Sequence, residues 1–564
     1  SYGGEINIAS DATLQYSSSA EQTLSGVISG SGLLVKDSAD SALTLSGVNT
    51  HTGSIDLDQG SLVIAADGQL ESGNYSGAVD IASGSTFEYA SSEDQTMSGV
   101  ISGAGDLVKD ADSALTLTGV NTHTGAIDLD QGLLVIGATG QLESGDYAGA
   151  VDIASGATLQ YASSAAQTLS GVISGTGVLL KDSADSALTL SGVNTYAGDL
   201  DIDQGSVVVG GAGQLNAGDY TGAVDIASGA TLRYASSAEQ TISGAISGAG
   251  VLLKDTEASA LTLSGLNTHT GDIDLDLGSI VIASEGQFGA GDYVGAVDIA
   301  SDSTLQYASS AEQTLSGVIS GTGSLWVNGT GTVNLAATNT FAGQIELSSG
   351  LLNLDSAEAL NSDIDVTLNG GSLNVAGYDA VVGSLVISDG QLAADGEGAL
   401  VEGTLIEGTL IEGTLIEGTL SSTAVSVIGS ADIAIDIELA GPGTLTYTGS
   451  GSLTLNSAQS YSGGTTVSSG TLILGADNVL PNAGTLNVDG GVFDLAGSSD
   501  TVAAVIVTAG DLIDSTATAS RLSASDYQFA NDTAVLVDVA LDGSAELTKS
   551  GSGTLSLSGD NNYT

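Results

Sequence analysis

Cysteine is absent from the 564 residues, so the chain has no disulfide framework, no thiolate nucleophile and no cysteine metal site. Proline occurs only 2 times, and glycine, at 81 residues, follows no strict third-residue period, which excludes a collagen-like helix. Basic residues are nearly missing: 7 Lys and Arg face 67 Asp and Glu, a formal charge of -60. That balance argues against nucleic acid and acidic membrane surfaces as partners. No apolar run approaches the ~20 residues of a membrane-spanning helix, and Ser1-Tyr2-Gly3-Gly4 is not a charged leader start. Any export signal or membrane segment is expected outside this chain.

What is present is a packed, repetitive chain. Hydrophobic residues make up 41%, enough to build a core despite the charge. Tyr2, Tyr75, Tyr147, Tyr220 and Tyr293 recur at spacings of 73, 72, 73 and 73 residues, which marks five long copies over residues 1–364. Each copy keeps the order of Gly-Ala-Val-Asp-Ile-Ala-Ser (77–83), Thr-Leu-Gln-Tyr (158–161), Leu-Ser-Gly-Val-Ile-Ser-Gly (24–30), Leu-Thr-Leu-Ser-Gly (43–47) and Ile-Asp-Leu-Asp-Gln-Gly (55–60). These short alternating runs, punctuated by Gly, Ser, Asp and Asn, predict strands with one buried face, and no window supports a capped amphipathic helix.

Strands so short share a core only when the chain coils and each turn stacks on the last. The predicted fold is therefore all-β, a parallel β-helix or β-solenoid of tandem 72–73-residue repeats. A coil of ~24 residues gives about three coils per copy, and ~4.8 Å per coil gives a rod of ~110 Å. Leu43, Leu45, Ile55 and Leu57 are expected inside, with Thr44, Ser46, Asp56 and Asp58 outside. Residues 365–400 read as degenerate coils. A four-fold [Val/Ile]-Glu-Gly-Thr-Leu run at 401–420 reads as a pentapeptide-like insert, a hairpin or loop created by local duplication, with one turn of a pentapeptide coil as the alternative. Short strands resume over 421–564, with Pro442 and Pro481 at turns.

The runs Gly443-Thr444-Leu445-Thr446-Tyr447-Thr448-Gly449, Tyr461-Ser462-Gly463-Gly464-Thr465-Thr466-Val467 and Gly470-Thr471-Leu472-Ile473-Leu474 resemble the autotransporter-associated β-strand repeat. Its start recurs at Leu547–Gly559, and the long copies carry a looser form, with Lys36, Lys109, Lys181 and Lys254 before the Leu-Thr-Leu strand and Asn49, Asn121, Asn194 and Asn267 after it. The resemblance implies a right-handed parallel β-helix in a large extracellular protein of a Gram-negative cell surface, often an adhesin exported by type V secretion. The translocator barrel of a complete autotransporter is missing from this stretch, and both ends fall inside a repeat.

Candidate chemistry is thin. His51, His123 and His269 share one position, which Tyr196 and Phe341 fill in other copies, so they read as turn residues beside the rod and not as catalytic bases. Asp56/Asp58, Asp128/Asp130, Asp201/Asp203 and Asp274/Asp276 have a spacing compatible with paired-carboxylate hydrolysis, but their recurrence favours a solvated acidic stripe. They remain weak metal candidates, with Ca²⁺ as the ion that stacked carboxylates would take. Asn49 and its counterparts through Asn339 are expected to anchor turns. Tyr16, Tyr89, Tyr161, Tyr234 and Tyr307 are expected in the core. The lysines, each followed by Asp37, Asp110, Asp182 or Asp255, are expected to relieve charge repulsion at the surface.

The sequence thus predicts a non-catalytic extracellular rod, the stalk or passenger of a surface adhesin acting in attachment, aggregation or biofilm. The alternative is a self-assembling filament or matrix protein with solenoids stacked end to end. Expected partners are other copies of the chain, neighbouring cell surfaces or a polysaccharide, with no nucleic acid and with membrane contact only through a segment outside this chain.

Overall fold

The computed structural model describes residues 1–375, 380–382, 384–393, 399–401, 404–405, 419–421, 424–427, 432–435, 438–516, 520–544 and 546–563. The chain divides into two compact units, Ser1–Ile280 with Phe288–Ala290, and Val281–Gln287 with Gly291–Thr564. Both are parallel β-solenoids. No helix among the described residues is long and apolar enough to cross a membrane. One-turn 3₁₀ segments stand at Glu71–Gly73, Glu143–Gly145 and Asn216–Gly218, at equivalent places in successive copies.

In the first unit alternation does what the pattern predicts. Leu43, Leu45, Ile55, Leu57, Leu62 and Ile64 are all at most 1% exposed, and Thr44 and Ser46 between them reach solvent in part. These β-branched and leucine side chains stack coil on coil, so one apolar column is shared by strands too short to carry a core alone. The longest strands, such as Leu33–Leu45 and Ile55–Ala66, bend midway across two faces. The bend in the first is a register shift between Lys36 and Ala42, and in the second it falls at Gly60, whose φ is 77°. A left-handed φ is open to glycine at little cost, which explains why Gly60, Gly132, Gly205, Gly278 and Gly350 hold this bend while the residues before them vary.

Register corrects the expected coil. One column in the first unit runs Gln95–Leu115–Leu134–Leu159–Leu179–Leu200–Val224–Ile246. Its steps are 19 to 25 residues and not a uniform 24. Gln167, the equivalent of Gln95 in the next copy, lies outside that column. It begins another, Gln167–Leu188–Val207–Leu232–Leu252. A copy therefore turns through three coils and one further face, and equivalent residues of successive copies sit on successive faces. The physical reason is that each copy contains one strand segment more than three coils need, so sequence period and coil period do not match.

In the second unit the step is more even. One column runs Leu325–Ile345–Val366–Leu385–Leu405–Val425–Leu445–Thr465–Leu486–Val505–Tyr527–Leu547. Thr404–Leu405 pair with Ser384–Leu385 on one side and with Ala424–Val425 on the other. Val401 pairs with Val381, and Leu420 with Leu400 and Leu439, while residues 402–403 and 406–418 of the predicted 401–420 insert lie outside the described residues. Pro481 falls between the strands Thr471–Leu474 and Thr485–Asp494, where no ladder bond needs its missing N–H.

Candidate functional site

The residues that look like chemistry in the sequence are mostly inside the coils. Lys36, Lys109, Lys181 and Lys254 are each 0% exposed, which overturns their expected surface role. The Lys36 ammonium donates to Ser38 O, in the bulge that follows it, and to Gln59 O at 3.1 Å on the neighbouring coil. Lys109 does the same with Ala111 O and with Gln131 O at 3.4 Å. Each ammonium also lies 5.8–5.9 Å from the ring centroid of Tyr16, Tyr89, Tyr161 or Tyr234. Ring face and inward carbonyls replace the water a buried cation has lost. Burial lowers the affinity of these amines for a proton, to a pKa of about 8 for Lys109, Lys181 and Lys254, against the attraction of Asp110, Asp182 and Asp255.

The bend glycine belongs to the same station. A Cβ on Gly60 would collide with Ser38 O and stand 2.7 Å from the Lys36 ammonium. Lysine, bulge and Asp-Gln-Gly therefore form one unit spread over two coils. The sequence carried a signal for it: four of the seven basic residues occupy one repeat position, an odd distribution for surface charges. Where the fifth copy has Val327 in place of lysine, stacked on Tyr307, the turn is Asn328-Gly329-Thr330-Gly331 instead of an Asp-, Ser- and Ala-rich bulge.

The histidines are also inside and not beside the coils. His51, His123 and His269 are each 1% exposed, with Nε2 at 2.8, 2.6 and 2.9 Å from the carbonyls of Gly32, Gly105 and Gly250. A carbonyl only accepts, so Nε2 carries the proton and donates. His51 stacks on Tyr75 with an interplanar angle of 19°. Burial lowers the histidine pKa values. Tyr196 fills the same position and donates to Gly177 O at 3.0 Å, and Phe341 fills it with a buried ring that has no donor, so the position needs a ring in the core and not an imidazole.

The asparagines anchor turns as predicted. Asn49 accepts the Ile28 N–H at 2.8 Å and donates to Gly47 O and Gln69 O, and Asn121, Asn194, Asn267 and Asn339 accept from Ile101, Ile173, Ile246 and Ile319. Tyr89, Tyr161, Tyr234 and Tyr307 are buried, and Tyr16 is half-buried. Two further stations escaped the sequence reading. Gln95 and Gln167 accept the N–H of Leu70 and Leu142 at 2.9 Å, and Asp500, 2% exposed, accepts from Val479 and Leu480 at 2.9 and 2.8 Å. Burial raises the Asp500 carboxyl to about 6 against those bonds.

The aspartate pairs split. Asp58, Asp130, Asp203 and Asp276 are exposed, whereas Asp56, Asp128, Asp201 and Asp274 are half-buried. Asp56, Asp128 and Asp201 stack on Asp80, Asp152 and Asp225 of the neighbouring coil. Burial first, then neighbouring carboxylates, raises the pKa of Asp56, Asp128 and Asp201. Ser102, Ser174 and Ser247 donate to Asp80, Asp152 and Asp225 at 2.5–2.6 Å. One acidic stripe through all copies does not form, because each copy turns its pair to the next face. Among the described residues no group of three or more His, Asp or Glu is placed to hold a metal ion.

Comparison with known proteins gives these stations a context. The passenger-associated-transport-repeat family matches residues 40–64, 107–136, 185–209, 327–354, 441–474 and 547–564. The first three of these segments contain Asn49, Asn121 and Asn194 with the ring residues His51, His123 and Tyr196, whereas Lys36 and Lys181 lie just outside them. Over 595 aligned positions the chain is 26% identical to the adhesin BmaC autotransporter of Brucella suis biovar 1 (strain 1330), over 90% of this chain and 16% of that protein. The chain thus spans under a fifth of the length of the curated relative it matches. No solved structure matches it.

Proposed function

We propose that this chain, a passenger-type repeat region related to an adhesin, is a non-catalytic segment of a bacterial surface protein that acts in attachment and cell–cell aggregation. The observation that carries the reading is that four of the six passenger-repeat matches contain Asn49, Asn121, Asn194 or Asn339, each accepting a backbone N–H of the neighbouring coil. Groups held in this way brace coils and are not presented to a substrate. Acidic outer faces, with a chain charge of -60, make contact between copies depend on screening by salt. Its partners in this reading are other copies, neighbouring cell surfaces or a polysaccharide.

The test displays the chain on otherwise non-adherent bacteria and, in parallel, coats it on inert beads at physiological salt. Clumping, or attachment to a cell or polysaccharide surface above that of uncoated controls, supports the reading. No clumping and no attachment overturns it, and continuous fibres of the purified chain under the electron microscope would then place it among matrix proteins that join end to end. Turnover of a polysaccharide by the purified chain would overturn its non-catalytic character.

A further inference from the structure

We infer that copy number in the first unit acts as an angular index: each 72–73-residue copy added or removed turns the copies that follow it within the unit by one face of the solenoid while leaving every strand paired, and three copies restore the original direction. The inference stands apart from the adhesive reading, because it needs only the register of the copies.

Two columns carry it. Starting from Ile55, stacking runs Val79–Ile101, and then, through the Thr122 N–H to Ile101 O and the Asn121 N–H to Gln141 O, into the segment that ends at Asp146. It continues Thr168–Thr189–Val208–Arg233–Leu253 and reaches Ile273 by the Leu252 N–H to Asp272 O bond. Ile55 and Ile273 hold the same place in the first and fourth copies, so three copies close the cycle in ten coils. The exposed Asp58, Asp130 and Asp203 are thus displayed on three successive faces, and Asp276 returns to the face of Asp58. Any exposed feature of a copy is offered in three directions, so a partner of this surface meets it from any side once three copies are present.

The junctions are interchangeable because they are built alike. Leu62 stacks on Phe87 between the first and second copies, and Leu134 stacks on Leu159 between the second and third. Val207 stacks on Leu232 between the third and fourth. Deleting residues 147–219 leaves Leu134 facing Leu232, a pair of the same kind as Leu134 and Leu159. In the intact chain the outward column from Val135 runs Gln160–Leu180–Asp201–Asp225. In the shortened chain Arg233 takes the place of Gln160 beside Val135, and Asp225 moves beside Asp128.

The absence of cysteine permits paired cysteine spin labels without background. In the full chain, labels are placed pairwise at Asp58→Cys, Asp130→Cys, Asp203→Cys and Asp276→Cys. The three neighbour distances are expected to be alike and longer than the ~14 Å of three stacked coils, while Asp58 to Asp276 is about 48 Å, well short of their sum. Neighbour distances that simply add up along a line would overturn the inference. In the chain lacking 147–219, Val135→Cys with Arg233→Cys is expected to give the strong coupling of adjacent strands, ~5 Å apart. Strong coupling from Val135→Cys with Asp225→Cys instead, or loss of the parallel-β signal in the shortened chain, would overturn it as well.

Discussion

A lysine closed off from water in a chain of charge -60 is the residue-scale surprise. Its ammonium joins a bulge to the next coil, so losing the charge while keeping the volume strands Ala111 O and Gln131 O. Lys109→Met should lower stability by about 2–4 kcal/mol. Amide exchange over residues 110–113 and at Gly132 should rise with it, which hydrogen-exchange mass spectrometry would read. Asp500 should show the reverse sign. Its carboxyl is raised to about 6, so the folded chain holds the proton more firmly, and stability falls as pH climbs from about 4 to about 6. Asp500→Asn keeps an oxygen for the N–H groups of Val479 and Leu480 and removes the buried charge. It should raise stability at pH 7 by about 1–2 kcal/mol, a gain that vanishes below about pH 4 in thermal melts across pH.

At the scale of the element, the bend between faces depends on one glycine per copy. Gly132 has φ 75°, and a Cβ there would strike Ala111 O. Gly156 has φ 88° with nothing within 4 Å of the same added atom. Gly156→Ala should therefore cost about 1 kcal/mol, from backbone conformation alone, and Gly132→Ala roughly 2–4 kcal/mol. Equal losses in chemical denaturation would remove the role given to the lysine bulge. Thr158–Tyr161 and the Leu43–Leu45 end of the strand Leu33–Leu45 were legible in the sequence because period-two alternation is the direct image of a half-buried strand. Asn49 was legible because asparagine at a turn has a local explanation. Lys109 and His123 were not, since their partners lie a coil away and charged or titrating groups are ordinarily outside. Gln95 and Asp500 were missed for the same reason: their bonds to Leu70 and Val479 cross 25 and 21 residues.

For the whole molecule, self-repulsion among 67 acidic side chains opposes the compact state, and only screening or protonation relieves it. Raising sodium chloride from about 0.05 to 0.5 M should lift the unfolding temperature by several degrees as the screening length shrinks. An equal rise with a non-binding organic cation salt would show that screening and not ion capture is responsible. Millimolar Ca²⁺ against a chelator, at constant ionic strength, should leave the midpoint unchanged, because the aspartate pairs reach solvent on different faces. The parallel solenoid could be read from the 73-residue period, but its winding could not. Repetition shows which residues are equivalent, and only strand pairing shows that equivalent residues are not neighbours.

The side-chain clamps of the first four copies run from one coil to the one beside it: Asn49 to Ile28, His51 to Gly32, Lys36 to Gln59. A pull along the chain would therefore meet a series of similar fasteners that open in succession. Each opening releases about twenty residues of slack, and the coils not yet reached stay closed. A surface protein built this way yields under shear by lengthening in steps, and it can rewind against the next intact coil when the load falls.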